Sequence, residues 1–322
     1  MPVFADRDLS LIKWHTQYQK NQCEEAYRKK AKEGRSYESI IYEKDGKIAR
    51  ITLNRPEKSN ALNDALYFDL LAGLGEASQD PDVRVIVIKG SGRAFCSGHD
   101  LSSPQGDESP PIDPKYHPTV RDFFQFERRR CQKYEDIMNC PKATIAQVHG
   151  FCIGAGEGIQ ASCDMTIAAE DAQFGTRGFS RLTMGITAMG GSGAPHTWPG
   201  GSERYRAGRM LPEISGKEAA ELSLINKAVP ADELEKEVER WAQALSLIPP
   251  ERLAIVKEGI NGTLDITGLG NAFRNHYNIH LALQFIRFRP NETNLYKARR
   301  DKGLKGFIQT RAEHATPIQD AE

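Results

Sequence analysis

Short apolar runs that alternate with helical segments constrain the fold of this chain more than any other sequence feature. The run from Val83 to Ile88 is nearly continuous and of strand length, as expected for a strand buried on both faces. Residues 143–148 and 164–169 are two further runs of this type. Helical periodicity lies between them, as in residues 62–78, where leucine recurs at every fourth position. This alternation predicts an α/β core.

The segments on either side of this core have a different character. Residues 39–53 predict a β-hairpin with its turn at Asp45-Gly46. Residues 1–34 are rich in charge and predict a helical extension, whereas residues 215–322 predict mainly helices. We therefore expect three parts, namely an N-terminal extension over 1–34, a core over 35–230 and a helical region over 231–322.

Composition argues against several classes of protein. Lys+Arg and Asp+Glu are both 43, so the formal net charge is zero and gives no basic field for nucleic acid. The six cysteines include no Cys-x-x-Cys pair, so neither a zinc ribbon nor a redox motif is indicated, and we expect no metal site. No apolar stretch approaches the length of a membrane span. Reduced cysteines and the lack of a signal-like N-terminus predict a cytoplasmic protein.

Two glycine-bearing turns follow predicted strands. The first is Ala-Phe-Cys-Ser-Gly-His-Asp-Leu at 94–101, and the second is His-Gly-Phe-Cys-Ile-Gly-Ala-Gly at 149–156. Small residues let a substrate approach the backbone closely, and two N–H groups that converge on one oxygen form an oxyanion hole. Either turn alone is more typical of a structural tight turn. The second turn lacks the glycine spacing of a dinucleotide fingerprint.

Together with these turns, the Asn-Arg-Pro-Glu-Lys-Ser-Asn-Ala-Leu segment at 54–62 resembles the crotonase (enoyl-CoA hydratase/isomerase) superfamily. Later landmarks at 163–164, 172–175 and 216–230 match in order, so the resemblance covers about residues 37–312. It implies a crotonase fold, a spiral of ββα units with a C-terminal α-helical trimerisation region. The expected assembly is a homotrimer or a dimer of trimers.

The resemblance also implies an acyl-CoA thioester as ligand, with coenzyme A as part of the substrate and no tightly bound cofactor. The backbone N–H groups of His99 and Ala155 would form the oxyanion hole for the thioester carbonyl. The residues expected to line the hole and the CoA path are Lys58, Asn60, Ala61, Ser97, Gly98, Asp100, Leu101 and Gly154.

The chain departs from the hydratase pattern at both expected glutamates. Gly158 and Gly178 stand at those positions, so hydration by the usual pair of carboxylates is not expected. Glu157 lies one residue before the first position, and two interpretations stay open: it reaches the pocket, or it caps the following helix. The imidazole of His99 either faces the acyl group or packs within its loop, and we favour loop packing.

Three further features leave alternatives open. Arg177 either binds an anionic group or lies at the surface, and His196 either lines the acyl pocket or packs in the core or at an interface. Thr176-Arg177-Gly178 is similar to dihydroxynaphthoyl-CoA synthase, but Gly185 stands where that enzyme type has its other acid.

The sequence therefore predicts an acyl-CoA-transforming enzyme with an unassigned reaction. Isomerisation or hydrolysis of a C–C bond in a cyclic or keto acyl-CoA fits the missing glutamates better than hydration does. A non-catalytic acyl-CoA-binding protein is the alternative from another class, which the lost acids favour and the retained turns disfavour.

Overall fold

A computed structural model describes residues 37–102, 119–175, 214–266, 268, 289–290, 292 and 295–319. The chain divides into the units Met1–Glu38 and Ser39–Glu322, and the following description concerns the second. The predicted extension over 1–34 lies outside the described residues, as do Arg177, Gly178 and His196. The three-part division of the chain stays a prediction.

Ten strands and seven α-helices are found in the described part of the chain. The strands are β1 Ile40–Asp45, β2 Ile48–Leu53, β3 Val85–Gly90, β4 Ala94–Cys96, β5 Ala143–Val148, β6 Phe151–Ile153, β7 Met165–Ala169, β8 Gln173–Gly175, β9 Ile214–Ser215 and β10 Lys227–Val229. The helices are α1 Asp64–Gln79, α2 Val120–Met138, α3 Ala155–Ala161, α4 Gly216–Glu221, α5 Leu234–Ser246, α6 Pro250–Ile266 and α7 Leu295–Gln319.

The larger sheet has six strands in the order β1-β2-β3-β5-β7-β10. The predicted hairpin is present as the antiparallel pair β1–β2, with Asp45 opposite Ile48. All other neighbours in this sheet are parallel. The near-continuous apolar composition of β3 and β5 is explained by burial, since four of six residues in β3 and five of six in β5 are buried.

Helices cover both faces of this sheet. Two adjacent residues of β2 contact helices on opposite faces, since successive side chains of a strand point to opposite sides of the sheet. Ile51 points towards Gly73 of α1, whereas Arg50 forms an ion pair with Glu239 of α5. Leu234, Val238 and Ala242 of α5 are buried, at the four-residue spacing of one helix face. The core therefore lies on the two sides of one mainly parallel sheet.

The second sheet is small, with the order β4-β6-β8-β9. Each of β4, β6 and β8 directly follows a strand of the larger sheet in the chain, and the three run parallel to one another. A long strand, a short strand and a helix therefore follow one another twice, as β3–β4–α2 and as β5–β6–α3. This repetition is the ββα arrangement that the family resemblance implied.

One predicted boundary was wrong. The sequence indicated a glycine-bearing turn over 149–156, but within it Phe151–Ile153 forms strand β6 and the helix Ala155–Ala161 already begins. The strand was missed because three residues are too short for a periodic signal. The shift makes Ala155 the first residue of the helix.

The C-terminal region is helical where it is described, and it includes α7 with a kink at Gly303. No helix among the described residues combines the length and apolarity needed to cross a membrane. The predicted role of this region in forming a trimer stays a prediction.

Candidate active site

The parallel pairing of β4 and β6 brings the two glycine-bearing turns together. Ala94 lies opposite Phe151 and Cys96 opposite Cys152. Because neighbouring parallel strands end at the same edge of a sheet, the residues after Cys96 and after Ile153 leave that edge side by side. The sheet therefore places the segment around His99 beside the start of α3.

The backbones of the two turns approach at van der Waals distance. A Cβ atom on Gly98 would lie 3.2 Å from the carbonyl oxygen of Ile153 and 3.9 Å from the backbone nitrogen of Ala155. A Cβ atom on Gly154 would lie 3.8 Å from the Cα of Gly98. Gly98 has φ +100 and Gly154 has φ +56, values that L side chains rarely adopt. Glycine at both positions therefore allows this approach.

The segment around His99 is also joined to the loop before α1. Leu62 and His99 form an isolated parallel bridge. The Leu62 N–H donates to the Gly98 carbonyl at 2.7 Å, and the Asp100 N–H donates to the Leu62 carbonyl at 2.9 Å. The segment 54–62, in which the resemblance implies a place on the CoA path for Lys58, Asn60 and Ala61, is thus fixed directly to the turn that carries His99.

A largely buried ion pair supports this junction. Arg55 and Asp100 are 2.8 Å apart, with side-chain exposures of 16% and 9%. Arg55 also donates to the carbonyl oxygen of Ala61. Burial alone would raise the pKa of Asp100, but hydrogen bonds from Ser102 and Arg55 outweigh it and hold this pKa below its ordinary value. The Asp100 side chain is therefore engaged within the protein as a carboxylate.

Asn60 is fully buried and its amide bonds only to backbone. Its Oδ1 accepts from the Arg55 N–H at 2.8 Å, and its Nδ2 donates to the carbonyl oxygens of Ser91 and Ala94. This side chain fixes the loop over the strands. The expected contribution of Asn60 to CoA binding stays a prediction, because these side-chain hydrogen bonds are all made to the protein's own backbone.

The start of α3 packs directly on β4. A Cβ atom on Gly156 would lie 2.4 Å from the carbonyl oxygen of Cys96. Ala155 is the first residue of this helix, and N–H groups of a first turn have no acceptor within their own helix. Glu157 follows in the same turn, half-buried, with its Oε2 atom buried. Its position is compatible with either interpretation offered above.

The position of the first expected glutamate faces a tyrosine. A Cβ atom on Gly158 would lie 2.5, 2.7 and 2.9 Å from Cε1, Cζ and the hydroxyl oxygen of Tyr134. Tyr134 lies on α2 and is 7% exposed. The phenol ring therefore fills the space where a side chain at residue 158 would begin.

The other predicted site residues lie around these turns. Ser97 is half-buried, and its N–H donates to the Ser59 carbonyl at 3.1 Å. Leu101 is half-buried, Ala61 is buried and Lys58 is exposed. The structure thus brings the predicted residues between 58 and 157 to one region, whereas Arg177 and His196 lie outside the described residues.

Sequence reasoning missed two residues of this region. Arg55 appeared only within the 54–62 motif, because its partner Asp100 lies 45 positions away in the chain and only the fold brings the two together. Tyr134 was not among the predicted site residues. The signal for it was Gly158, because a glycine inside a helix costs about 1 kcal/mol relative to alanine, and a close packing contact is one reason for that cost.

Among the residues that the structure describes, no group of three His, Cys, Asp or Glu side chains could hold a metal ion.

Comparison with protein families gives a match over most of the chain. Residues 43–312 match the family model described as enoyl-CoA hydratase/isomerase. The chain therefore belongs to the enoyl-CoA hydratase/isomerase family, and its α/β structure is a crotonase fold.

Individual relatives agree with this assignment. The chain is 33% identical over 261 residues to the Mycobacterium tuberculosis protein named "Putative enoyl-CoA hydratase EchA13", covering 76% of this chain and 80% of that one. A solved structure called a probable enoyl-CoA hydratase, from Mycobacterium thermoresistibile, matches with TM-score 0.65 and 32% identity over 76% of this chain and 96% of its own. An enoyl-CoA hydratase structure from Mycobacterium smegmatis matches with TM-score 0.71 and 26% identity, covering 86% and 94%.

Proposed function

We propose that this protein transforms an acyl-CoA thioester through an enolate, which it stabilises with the backbone N–H groups of His99 and Ala155. The observation that supports this most directly is the approach of Gly98 to the Ala155 backbone nitrogen at the common edge of β4 and β6. Each of the two proposed donors, His99 and Ala155, directly follows a glycine, so no Cβ atom stands beside its N–H group on that side. A thioester carbonyl can therefore approach the main chain from the side of both turns.

The chemistry follows from where charge develops. When a proton leaves the α-carbon of a thioester, negative charge accumulates on the carbonyl oxygen. Backbone donors that are fixed by strand ends need no reorganisation to stabilise that charge. One such donor typically lowers the activation barrier by about 3–4 kcal/mol. The Leu62 bridge and the Arg55–Asp100 pair hold the first donor segment rigid in the proposed site.

The reaction within this class is proposed as isomerisation or C–C bond hydrolysis rather than hydration. Glycine at residue 158 removes one of the two carboxylates that hydration by the family's usual route needs, and Tyr134 occupies the adjoining space. Non-catalytic binding of acyl-CoA is the competing proposal, and it is separated by measurement of turnover.

A panel of acyl-CoAs incubated with the protein and followed by mass spectrometry tests the reaction class. Addition of water, an unchanged mass with altered retention, and cleavage indicate hydration, isomerisation and hydrolysis. Thermal stabilisation by thioesters without turnover would favour the non-catalytic binder. Absence of both stabilisation and turnover with every thioester would contradict the proposed ligand class.

The Ala155→Pro variant tests the oxyanion hole itself. Proline is well tolerated at the first residue of a helix, so the variant removes the N–H group while the helix is retained. We expect turnover to fall by about 10²–10³-fold. Ala155→Ser keeps the N–H group and is expected to lose far less. Equal losses in both variants would show that the side-chain space, not the donor, matters at this position.

A further inference from the structure

We propose that the hydroxyl of Tyr134 is the acid–base group that exchanges a proton with the acyl group, a role that rests on the proposed function. The observation is the contact between Tyr134 and Gly158, in which ring and hydroxyl lie 2.5–2.9 Å from where the Cβ of residue 158 would be. Neither Tyr134 nor α2 belongs to the turns that hold the thioester carbonyl.

The first step is position. Ala155 and Gly158 are three residues apart on α3, so they share one side of the helix. Cβ positions at this spacing are about 5–6 Å apart. The hydroxyl oxygen lies 2.9 Å from the Cβ position of Gly158, which puts it within about 9 Å of the Ala155 Cβ. That range covers the first carbon atoms of an acyl chain whose carbonyl is held at Ala155.

The second step is the reason for glycine at residue 158. Gly158 has no positive φ that would require glycine, and it lies inside a helix, where glycine costs about 1 kcal/mol. A methyl group there would collide with the phenol ring. Gly158 and Tyr134 therefore form a matched pair, in which the absent side chain on α3 makes room for a polar side chain from α2.

The third step is the fixed placement of Tyr134. The residue is 7% exposed, and Ile137, one turn later on α2, is fully buried. A phenol held in this way loses little further conformational freedom when substrate binds. Tyrosine is among the side chains that serve as general acids or bases, with typical contributions of 10²–10⁴-fold.

The proton transfer balances without any co-reactant. In the protonation direction, the O–H bond of Tyr134 breaks and a C–H bond forms at the α-carbon of the enolate. The electron pair of the enolate double bond becomes that C–H bond, the thioester carbonyl re-forms, and the phenolate recovers a proton from water. In the reverse direction, the phenolate oxygen takes the α-proton and the charge passes to the oxygen in the hole.

The test follows the exchange of α-protons of butyryl-CoA for deuterium in D₂O by mass spectrometry, with butyryl-CoA binding measured in parallel. Wild-type protein is expected to bind and to catalyse exchange. Tyr134→Phe keeps the ring against Gly158 and is expected to exchange about 100-fold more slowly, with a dissociation constant within about threefold of wild type. Tyr42→Phe is the matched control, since it removes the hydroxyl of a half-buried tyrosine on the edge strand β1.

The possible results separate this inference from the proposed function. Failure of wild-type protein to bind butyryl-CoA or any other thioester contradicts the proposed function. Exchange that is as fast in Tyr134→Phe as in wild type overturns only the role of Tyr134. Binding without exchange overturns that role and also favours the non-catalytic binder over the proposed enolate chemistry. Exchange that survives Tyr134→Phe but is lost in Glu157→Gln assigns the proton transfer to Glu157.

A second variant covers the case in which Tyr134→Phe does not fold. Gly158→Ala keeps the hydroxyl in the protein but displaces the ring, because its methyl group would meet Cε1 of Tyr134 at 2.5 Å. Exchange is expected to fall at least about tenfold while the variant remains folded by circular dichroism. A folded Gly158→Ala variant with wild-type exchange would overturn the proposal.

Discussion

The two turns that meet at the candidate active site are held in place by different physical means. The first, around Gly98 and His99, depends on polar side chains, namely the Arg55–Asp100 ion pair and the buried Asn60 amide. The second, at the start of α3, depends on missing side chains, since Gly156 packs on β4 and Gly158 on Tyr134. The comparison teaches that the first turn should respond to charge and pH, whereas the second should respond to volume.

The Asp100→Asn variant should have the largest effect on the first turn. It leaves the Arg55 guanidinium, 16% exposed, without its carboxylate partner. Breaking a buried pair in this way costs about 3 kcal/mol. We expect the free energy of unfolding at pH 7, measured by urea denaturation, to fall by that amount.

The pH dependence of the same variant shows whether charge is the cause. The pKa of Asp100 is lowered in the folded protein, so its carboxylate stabilises the fold above the ordinary aspartate pKa near 4. This stability is lost as the pH falls through the lowered folded-state pKa. The difference between wild type and Asp100→Asn should therefore shrink below about pH 4. A difference that stays constant down to pH 3 would assign the effect to packing and break the comparison.

The Gly156→Ala variant tests the second turn. Its Cβ atom would lie 2.4 Å from the Cys96 carbonyl oxygen, which is backbone and cannot rotate away. We expect an overpacking cost of about 2 kcal/mol in the free energy of unfolding, independent of pH between 4 and 8.

A second helical glycine provides the control for this variant. Gly262 on α6 has no atom within 4 Å of its Cβ position, so Gly262→Ala should stabilise the protein by about 0.5–1 kcal/mol through helix propensity alone. If Gly156→Ala were as stable as Gly262→Ala, close packing would not be what holds the second turn.

The smallest change in stability is expected for Lys58→Ala. Lys58 is exposed, so the free energy of unfolding should change by less than about 0.5 kcal/mol. If Lys58 contacts a phosphate of CoA, affinity for acyl-CoA should fall about fivefold, and the loss should diminish at high salt. Lys47→Ala, in the exposed turn of the β1–β2 hairpin, is the control and should bind as wild type does.

Much of the fold could be predicted because its signals are local. The apolar runs of β3 and β5 and the leucine repeat of α1 exist in the sequence itself, and the structure has elements at those places. The second sheet could not be found in this way, since β4, β6 and β8 have three residues each. Pairing with strands about 20 to 60 residues away in the chain, rather than a local pattern, defines them.

In the candidate site, too, the local features could be predicted and the long-range contacts could not. Its two turns were visible as glycine-bearing segments, and the family resemblance named the residues in them. The Arg55–Asp100 pair and the Tyr134–Gly158 contact join residues 45 and 24 positions apart, so the fold alone brings them together. No local pattern of charge or periodicity encodes a contact of this kind.

The bridge between Leu62 and His99 has a consequence for how binding energy would be used. It joins the loop of residues 54–62 to the segment of the first proposed donor, so that a displacement of one displaces the other. Contacts to the nucleotide end of coenzyme A would then act on the geometry at the thioester, although the whole pantetheine arm separates the two. Under the proposed function, a thioester truncated to its pantetheine arm would lose catalytic rate as well as affinity. The reason is that binding of the nucleotide would help to align the thioester carbonyl with its donors.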